Sequence, residues 1–252
     1  MKVIFLHIPK AGGTTLYSVL ERQYGAAEIL TLHDYEIPEI QRLSPEQQKR
    51  IKLIRGHFWY GVHRHFQEEC TYITLLRDPV ERIISHYFYI KTDPRHYLYG
   101  KIQDLNLSLA DYAMSDLSGE LDNGQLRLIS GEEPPLGYCT EDMLTKAKVN
   151  IEEHFSVVGL TERFDASVAL MKIRLGWPRS IHYTKRNVSS AGARKEDLWA
   201  KLRMEIRERN WLDYKLYEWA HERLAEQLRA NALRVGLQVT TLRVRNFLTT
   251  LN

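Results

Sequence analysis

The residues with the most evident chemistry lie in one short segment near the N-terminus. Residues 8–16 read Ile-Pro-Lys-Ala-Gly-Gly-Thr-Thr-Leu, between an apolar run typical of a buried strand and a stretch with helical spacing. A glycine-rich turn that opens a helix lets backbone N–H groups converge on an anion, and the helix N-terminus adds partial positive charge. The lysine adds a mobile cation, and the threonines add hydroxyl donors. The segment therefore predicts a phosphate-binding loop formed by Lys10, Ala11, Gly12, Gly13, Thr14 and Thr15.

The order of residues in this loop differs from that of a Walker A loop. A Walker A loop ends in Gly-Lys-Ser/Thr, with the hydroxyl on magnesium. Here Lys10 precedes the glycines, and Gly13 runs directly into Thr14. The sequence also has no acidic residue after an apolar strand that is suited to hold magnesium. These features argue against a kinase that uses ATP. A P-loop kinase-like phosphotransferase and a non-catalytic nucleotide- or glycan-binding protein of the same fold remain the alternatives.

A second anion-binding element follows further along the chain. Residues 71–76 are apolar and rich in β-branched side chains, which predicts a strand. Arg77 and an Asp-Pro pair come next, and Asp is a favourable N-cap while Pro fits the first helical position. A helix is therefore expected over residues 82–90. Arg77 and Ser85 can then face one crevice, where a guanidinium fork and a hydroxyl suit a phosphate monoester.

Together the two elements resemble the nucleotide-binding motifs of the sulfotransferases that use 3′-phosphoadenosine-5′-phosphosulfate (PAPS). The likeness is closest to the branch that contains the heparan-sulfate 2-O-sulfotransferases and their bacterial relatives, whose first loop reads much like His-Ile-Pro-Lys-Thr-Gly-Gly-Thr-Ser. Ala11 stands where that loop often has threonine. The resemblance implies that the first loop binds the 5′-phosphosulfate, and that Arg77 and Ser85 bind the 3′-phosphate that distinguishes PAPS from ATP.

The resemblance carries further expectations for the site. It implies PAPS as co-substrate, adenosine 3′,5′-bisphosphate (PAP) as product, and no metal. Residues 122–131 look like a helical segment of the bacterial relatives, and residues 158–162 look like the strand beneath the adenine. Residues 183–189 resemble a flexible loop that closes over the nucleotide, with Lys185 or Arg186 reaching a phosphate. An exposed basic loop is the alternative for that segment.

The segment between the two motifs carries the candidate general base. His57 follows a predicted strand over residues 51–54 and a glycine, which places it at the carboxyl end of a strand, where ligands of open α/β sheets collect. A neutral histidine can accept a hydroxyl proton near pH 7, and the sulfotransferase relatives place their base in a short Gly-His unit. We therefore predict His57 and Lys10 as the catalytic residues. A structural histidine at a strand end, His63, His65 and a carboxylate are the alternatives.

The sequence does not identify the acceptor beyond a compound that carries a hydroxyl group. Residues 58–60, Phe-Trp-Tyr, either form a platform for a sugar or aromatic acceptor or pack in the core. Saccharide, lipid or polyketide, phenol and tyrosine hydroxyls all remain open. The resemblance favours a carbohydrate. No metal site is predicted at His63 and His65, because a carboxylate or thiolate partner is lacking nearby.

The elements that must position these residues follow from the pattern of apolar side chains. Apolar runs predict strands at 2–8, 51–54, 71–76 and 155–160, and helices at 14–24, 82–90 and 166–175 lie between or after them. This alternation predicts a P-loop-like three-layer α/β domain with a parallel sheet flanked by helices.

The C-terminal third has a different pattern. Its apolar residues recur at helical spacing through charged sequence, which predicts one or two long amphipathic helices. Residues 239–247 show some alternation and are expected to add an edge strand. The whole chain, 1–252, is expected to form one sulfotransferase domain, with residues from about 236 to 252 as a possible appendage.

Charge and cysteine content limit the partners and the compartment. Residues 172–252 hold 17 Lys/Arg against 8 Asp/Glu, whereas residues 1–171 hold 18 against 24. The basic part is either a solvated helix face or a surface that meets an anionic ligand. Two cysteines are too few for a disulfide scaffold and favour the cytoplasm, and no apolar run approaches the roughly 18 residues of a membrane span. Because the eukaryotic relatives carry a Golgi membrane anchor, the resemblance implies that this chain is a soluble bacterial-type enzyme. No nucleic-acid partner is expected, and the ion pairs of Glu81 and Arg82 are expected on the surface.

Overall fold

A five-stranded parallel sheet forms the centre of the molecule in a computed structural model. The model describes residues 1–32, 37–183 and 196–250. The strand order is β2-β3-β1-β4-β5, and every neighbouring pair is parallel. The strands are β1 (Lys2–Leu6), β2 (Ile29–Leu32), β3 (Leu53–Gly56), β4 (Cys70–Leu76) and β5 (Phe155–Leu160).

Helices connect and flank these strands, as the predicted fold class requires. In chain order they are α1 (Gly13–Gln23), α2 (Ile37–Gln41), α3 (Pro45–Arg50), α4 (Pro79–Thr92), α5 (Tyr99–Asp104), α6 (Leu109–Met114), α7 (Gly124–Ser130), α8 (Glu141–His154), α9 (Phe164–Leu175), α10 (Glu196–Arg209), α11 (Trp211–Ala230) and α12 (Ala232–Thr250). Among the residues described, no helix is both long and apolar enough to cross a membrane.

The predicted elements around the two motifs are confirmed, with small shifts of their ends. Strand β1 is buried along its length and ends at Leu6, one residue before His7. Asp78 caps α4 by accepting a hydrogen bond from the Glu81 backbone N–H at 3.0 Å, and Pro79 occupies the first helical position, as expected. Strand β2 was not predicted, because its four residues are too short and too little buried to show a pattern.

The predicted edge strand over 239–247 is wrong, because this segment lies within α12. Its β-branched residues suggested alternation, but burial follows the helical period instead. Val235 and Leu242, seven residues apart, are 7% and 1% exposed, which puts them on one face of a helix. Long C-terminal helices are present as expected, but the described residues form three of them, α10, α11 and α12, where one or two were predicted.

Two apolar clusters make up the core of the described residues. The larger cluster joins the sheet to α1, α7, α8, α9, α11 and α12. The smaller cluster joins α4, α5, α6 and α10 through residues such as Ile83, Tyr112 and Ile206, all fully buried. Helix α4 therefore belongs to a second layer of helices that stands beside the carboxyl end of the sheet.

Candidate active site

The loop between β1 and α1 is shaped by two glycines. Gly12 has φ of +86°, a left-handed conformation that favours glycine. A Cβ on Gly13 would lie 1.9 Å from Nε2 of His7, so no other residue fits without displacing that ring. Gly12 is the N-cap of α1, and no side chain caps the helix. The first N–H groups of α1 are thus left for a ligand.

Arg77 is held next to this loop by hydrogen bonds to its backbone and its side chain. The Arg77 backbone N–H donates to Oε1 of Gln125, and Nε2 of Gln125 donates to the Arg77 carbonyl, both at 3.0 Å. Nη1 of Arg77 donates to the Lys10 carbonyl at 3.1 Å. Strands β1 and β4 are neighbours, so the residues that follow them meet at one edge of the sheet.

Gln125 is a positioning residue that sequence reasoning did not single out. It is fully buried in α7. Asp213 of α11 accepts hydrogen bonds from the backbone N–H groups of Gln125 and Leu126, at 3.2 and 2.7 Å, and so caps the start of α7. The buried carboxyl of Asp213 therefore holds the start of α7 in place, and Gln125 of α7 in turn holds the backbone of Arg77.

A cavity of about 600 Å³, here called the donor cavity, collects most of the predicted nucleotide residues. Its volume lies within the range of small-molecule sites. The predicted residues in its wall are Lys10, Gly12, Gly13, Thr14, Thr15, Arg77 and Ser85. Ala11 is buried beneath the loop instead, and its carbonyl accepts a hydrogen bond from Oγ1 of Thr161 at 2.8 Å. Lys185 and Arg186 lie outside the described residues.

The other wall of the donor cavity comes from segments far along the chain. Residues 161–166, which directly follow β5, line it. Arg243 of α12 also lines the cavity and forms an ion pair with Asp165 at 3.2 Å. Tyr183 lines the cavity as well and donates a hydrogen bond to the same carboxylate. Part of the basic C-terminal third therefore faces this cavity.

A second cavity of about 860 Å³, here called the acceptor cavity, lies beside the first. Lys10 lines both cavities and stands between them. Nζ of Lys10 lies 3.6 Å from the centre of the Tyr89 ring. Burial, with a further contribution from Arg77, lowers the pKa of Lys10 to about 8. The lysine is thus a cation of reduced hydration at the boundary.

His57 lines the acceptor cavity, directly after β3, as predicted. Its Nδ1 lies 2.9 Å from the carbonyl oxygen of His7. A carbonyl oxygen only accepts hydrogen bonds, so Nδ1 carries a hydrogen, and the lone pair of a neutral ring must be on Nε2. The His7 ring stacks on His57 at 4.3 Å, and burial above all holds the pKa of His7 well below its usual value. Nε2 is therefore the His57 nitrogen that can accept a proton.

The ion pair of Arg82 contradicts its expected place on the surface. Arg82 is fully buried, and Nη1 donates to Oε2 of Glu120 at 2.6 Å. Glu120 lines the acceptor cavity. Burial is the largest single effect and opposes its ionisation, but the charge and hydrogen bond of Arg82, together with His86 and His57, outweigh burial and lower the pKa of Glu120. The expected surface pair of Glu81 is confirmed, with Arg203 at 2.7 Å.

Several acceptor-cavity residues had no signal in the sequence. His86, which is buried in α4, and His96 both line the cavity, although neither had a distinctive sequence setting. They lie on α4 and in the turn after it. The sequence pattern does not show that these elements line the same cavity as the residue that follows β3. His63 and His65, the alternative bases, line neither cavity. Nδ1 of His63 lies 3.0 Å from the Tyr72 hydroxyl.

The aromatic segment 58–60 divides between core and cavity. Phe58 is buried in the core, while Trp59 lines the acceptor cavity. Tyr60 packs against Tyr72 and bonds to Nδ1 of His154 at 2.7 Å. Of the proposed platform, only Trp59 faces the cavity. Within the described parts of the chain, no group of three potential metal ligands is present.

The sheet order and the flanking helices define a P-loop-like α/β protein. The model of the sulfotransferase family, Sulfotransfer_2, matches residues 1–112, which hold both motifs and His57. The chain is similar to human galactose-3-O-sulfotransferase 2, with 27% identity over 73% of this chain and 47% of that protein. It is also similar to human uronyl 2-sulfotransferase, with 23% identity over 68% of this chain and 47% of that protein.

These matches support the sulfotransferase family that the motifs predicted. Residues 1–112 are similar to that family, and both human relatives are named as sulfotransferases of a sugar group, galactose or uronyl. It spans about half the length of those relatives. Among solved structures, mouse sulfotransferase SULT7A1 complexed with PAP is similar with a TM-score of 0.39 and 14% identity, covering 83% of this chain and 66% of that one.

Proposed function

We propose that this protein transfers the sulfonate group of PAPS to a saccharide hydroxyl. One observation carries the proposal: Lys10 lines both the cavity with the phosphate-binding loop and the cavity with His57. A donor nucleotide in one cavity and an acceptor in the other would then meet at this lysine. The family and the matched carbohydrate sulfotransferases support the same reaction.

The donor cavity suits a nucleotide with phosphates at two positions. The loop amides and the start of α1 would hold the 5′-phosphosulfate. Arg77 and Ser85 stand on the neighbouring strand end and on α4, and would hold the 3′-phosphate. Gln125 holds the Arg77 backbone through two hydrogen bonds, and the guanidinium fork of Arg77 is well suited to two oxygens of a phosphate monoester.

The reaction in this proposal is an in-line displacement at sulfur. The acceptor oxygen forms a bond to sulfur while the bond from sulfur to the 5′-phosphate oxygen breaks, and PAP leaves. Nε2 of His57 takes the hydroxyl proton. The Lys10 ammonium and the loop amides stabilise the charge that develops on the transferred group and the leaving phosphate.

The test is accumulation of PAP when the protein is given PAPS and a panel of saccharides. We expect PAP to accumulate with at least one acceptor, with EDTA present. Lys10→Ala should keep the fold and most PAP affinity but lower turnover by about 10²–10³-fold, as removal of a charge-stabilising donor does. Lys101→Ala, an exposed lysine that lines neither cavity, is the matched control. If ATP rather than PAPS were consumed, the kinase-like alternative would replace this proposal.

A further inference from the structure

We propose that helix α12 docks the protein on the surface of a lipid bilayer that carries anionic headgroups. The inference concerns a face of α12 that lines neither cavity, and it does not depend on the proposed sulfonate transfer. It gives a role to the part of the basic C-terminal third that lies away from the donor cavity.

Helix α12 has apolar side chains on two opposite faces. Val235 and Leu242 are buried in the larger core cluster and mark the inner face. Leu237 follows Val235 by two residues, which is roughly 200° around a helix, so it lies on the side away from the core. Leu233 and Val244, four residues before and seven residues after Leu237, lie on the same side. These three residues are here called the outer stripe.

The outer stripe is well exposed to solvent. Leu233, Leu237 and Val244 are 92%, 67% and 54% exposed. One exposed leucine is ordinary in a soluble protein, but a row of large apolar side chains along one helix face is typical of a surface that meets an apolar partner. The outer stripe therefore calls for a partner with an apolar region.

Arginines flank the outer stripe, and α12 contains no acidic residue. Arg234 and Arg245 are eleven residues apart, within about 20° of each other around the helix, and lie between the outer stripe and one side of the inner face. Arg243 lies on the other side of the stripe, where it pairs with Asp165 at 3.2 Å. Residues 227–252 hold four arginines and no Asp or Glu, so a positive excess remains after this pair is counted. The preceding helices α10 and α11 each contain both acidic and basic residues.

Two further arginines lie beside the C-terminal half of α12. Nη1 of Arg245 donates to Oγ of Ser180 at 2.6 Å, which joins α12 to the segment that follows α9. In that segment Nη1 of Arg179 donates to the Arg22 carbonyl at 2.6 Å, and Nη1 of Arg22 lies 3.1 Å from Nδ1 of His182. Arg22 and Arg179 are both exposed. The basic surface around the outer stripe thus continues onto α1 and the segment after α9.

Two carboxylates of the same region have cations of their own. Glu21 pairs with Nη1 of Arg55 at 2.8 Å, and Glu28 pairs with Lys52. Neither acid therefore cancels the charge of the arginines beside α12.

An apolar stripe with flanking arginines fits the surface of an anionic bilayer. Leucine and valine side chains enter the boundary between headgroups and acyl chains, while arginine keeps its guanidinium at the level of the phosphates. A soluble polyanion offers the charge without an apolar region. A second copy of the chain offers an apolar stripe, but a two-fold pair of α12 helices would bring arginines together with no carboxylate on either helix.

The test is co-sedimentation of the whole protein with vesicles of phosphatidylcholine alone and of phosphatidylcholine mixed with phosphatidylglycerol. We expect a partition coefficient at least about tenfold higher for the mixed vesicles, because each arginine near an anionic surface contributes about fivefold. Added salt should weaken this binding, because it screens the charges.

Two matched pairs of variants test the stripe and the arginines separately. Leu237→Gln should lower the partition coefficient about fivefold to tenfold, because it removes an inserted apolar side chain. Leu105→Gln, at a leucine that is 64% exposed at the end of α5, should leave it unchanged. Arg234→Gln should lower it about fivefold, whereas Arg64→Gln, at another exposed arginine, should not. All four variants should keep the melting temperature, since each side chain is exposed and lines neither cavity.

Several results would overturn the inference. These are no binding to the mixed vesicles, equal binding to both kinds of vesicle, or equal losses for Leu237→Gln and Leu105→Gln. A dimer in sedimentation velocity that Leu237→Gln dissociates would assign the outer stripe to a second copy of the chain instead. None of these measurements involves PAP release, so their outcome is independent of the test of the proposed function.

Discussion

The donor and acceptor cavities share Lys10 but are built in different ways. About half of the residues that line the donor cavity come from two continuous motifs that follow adjacent strands β1 and β4, and these include all of its predicted anion-binding residues. The acceptor cavity takes its wall from seven separate short segments between Pro9 and Glu133, on several helices and turns. The predicted anion-binding residues of the donor cavity can therefore be recognised from short continuous motifs. The residues of the acceptor cavity come together only when separate segments pack.

The largest expected effect falls on the acceptor side. His57→Ala should lower turnover by roughly 10²–10⁴-fold, the usual contribution of a positioned base, while PAP affinity stays near that of the unmodified protein. His65→Ala, which removes a histidine that lines neither cavity, is the matched control. Steady-state PAP release and PAP titration measure the two quantities. Turnover by His57→Ala at the unmodified rate would assign the proton transfer to another group, such as Glu120 in the same cavity wall.

Lys10, which lies between the two cavities, should determine how kcat/KM for PAPS depends on pH. The pKa of Lys10 is lowered to about 8, so the side chain loses its positive charge as the pH rises through that value. We expect kcat/KM for PAPS, which reports on the free enzyme, to fall about tenfold per pH unit above pH 8. Lys10→Arg keeps its charge over this range and should lack the descending limb, although its rate is lower. A descending limb that survives in Lys10→Arg would belong to another group.

On the donor side, Arg77 should control the choice of nucleotide. PAP should raise the melting temperature strongly, and ADP or AMP only weakly, because they lack the 3′-phosphate. A ligand at 100 times its Kd adds about 2.7 kcal/mol to stability. Arg77→Ala should remove most of the difference between PAP and ADP, whereas Arg64→Ala, at an exposed arginine, should leave it in place. Equal stabilisation by PAP and ADP in the unmodified protein would favour the kinase-like alternative.

The smallest expected effect concerns α12. Arg243 lines the donor cavity with its side chain 71% exposed and paired to Asp165. Arg243→Ala should weaken PAP binding by about twofold to fivefold, because an exposed charge is well screened by water. Arg245→Ala is the control, since Arg245 donates to Ser180 and does not line the cavity. PAP titrations of both variants would show whether the C-terminal helix takes part in the donor site.

The sequence allowed the fold and the donor motifs to be predicted because both depend on local order. A buried apolar run, a glycine turn and an Asp-Pro helix start each specify their own geometry. His57 could be placed for the same reason, because it directly follows β3. The alternation in residues 239–247 led to a wrong prediction of a strand. Its β-branched residues are compatible with a strand or a helix, and only the packing of Val235 and Leu242 against the core shows that the segment is helical.

The remainder of the site depends on contacts between distant segments. Nothing in the local sequence of Arg82 shows that it is buried against Glu120, 38 residues further on. The same holds for Gln125, which fixes Arg77, and for Arg243, which reaches the donor cavity from α12. The roles of Lys185 and Arg186, the single-domain organisation and the cytoplasmic location remain predictions.

The central claim is that the nucleotide binds in the donor cavity and the saccharide binds in the acceptor cavity, with Lys10 between them. A crystal structure of the protein with PAP and a saccharide that supports PAP release tests this claim most directly. We expect the 5′-phosphate on the backbone of Gly12–Thr15, the 3′-phosphate on Arg77 and Ser85, and a saccharide hydroxyl within hydrogen-bond distance of Nε2 of His57. A nucleotide bound in the cavity of His57, or a saccharide bound away from it, would contradict this account.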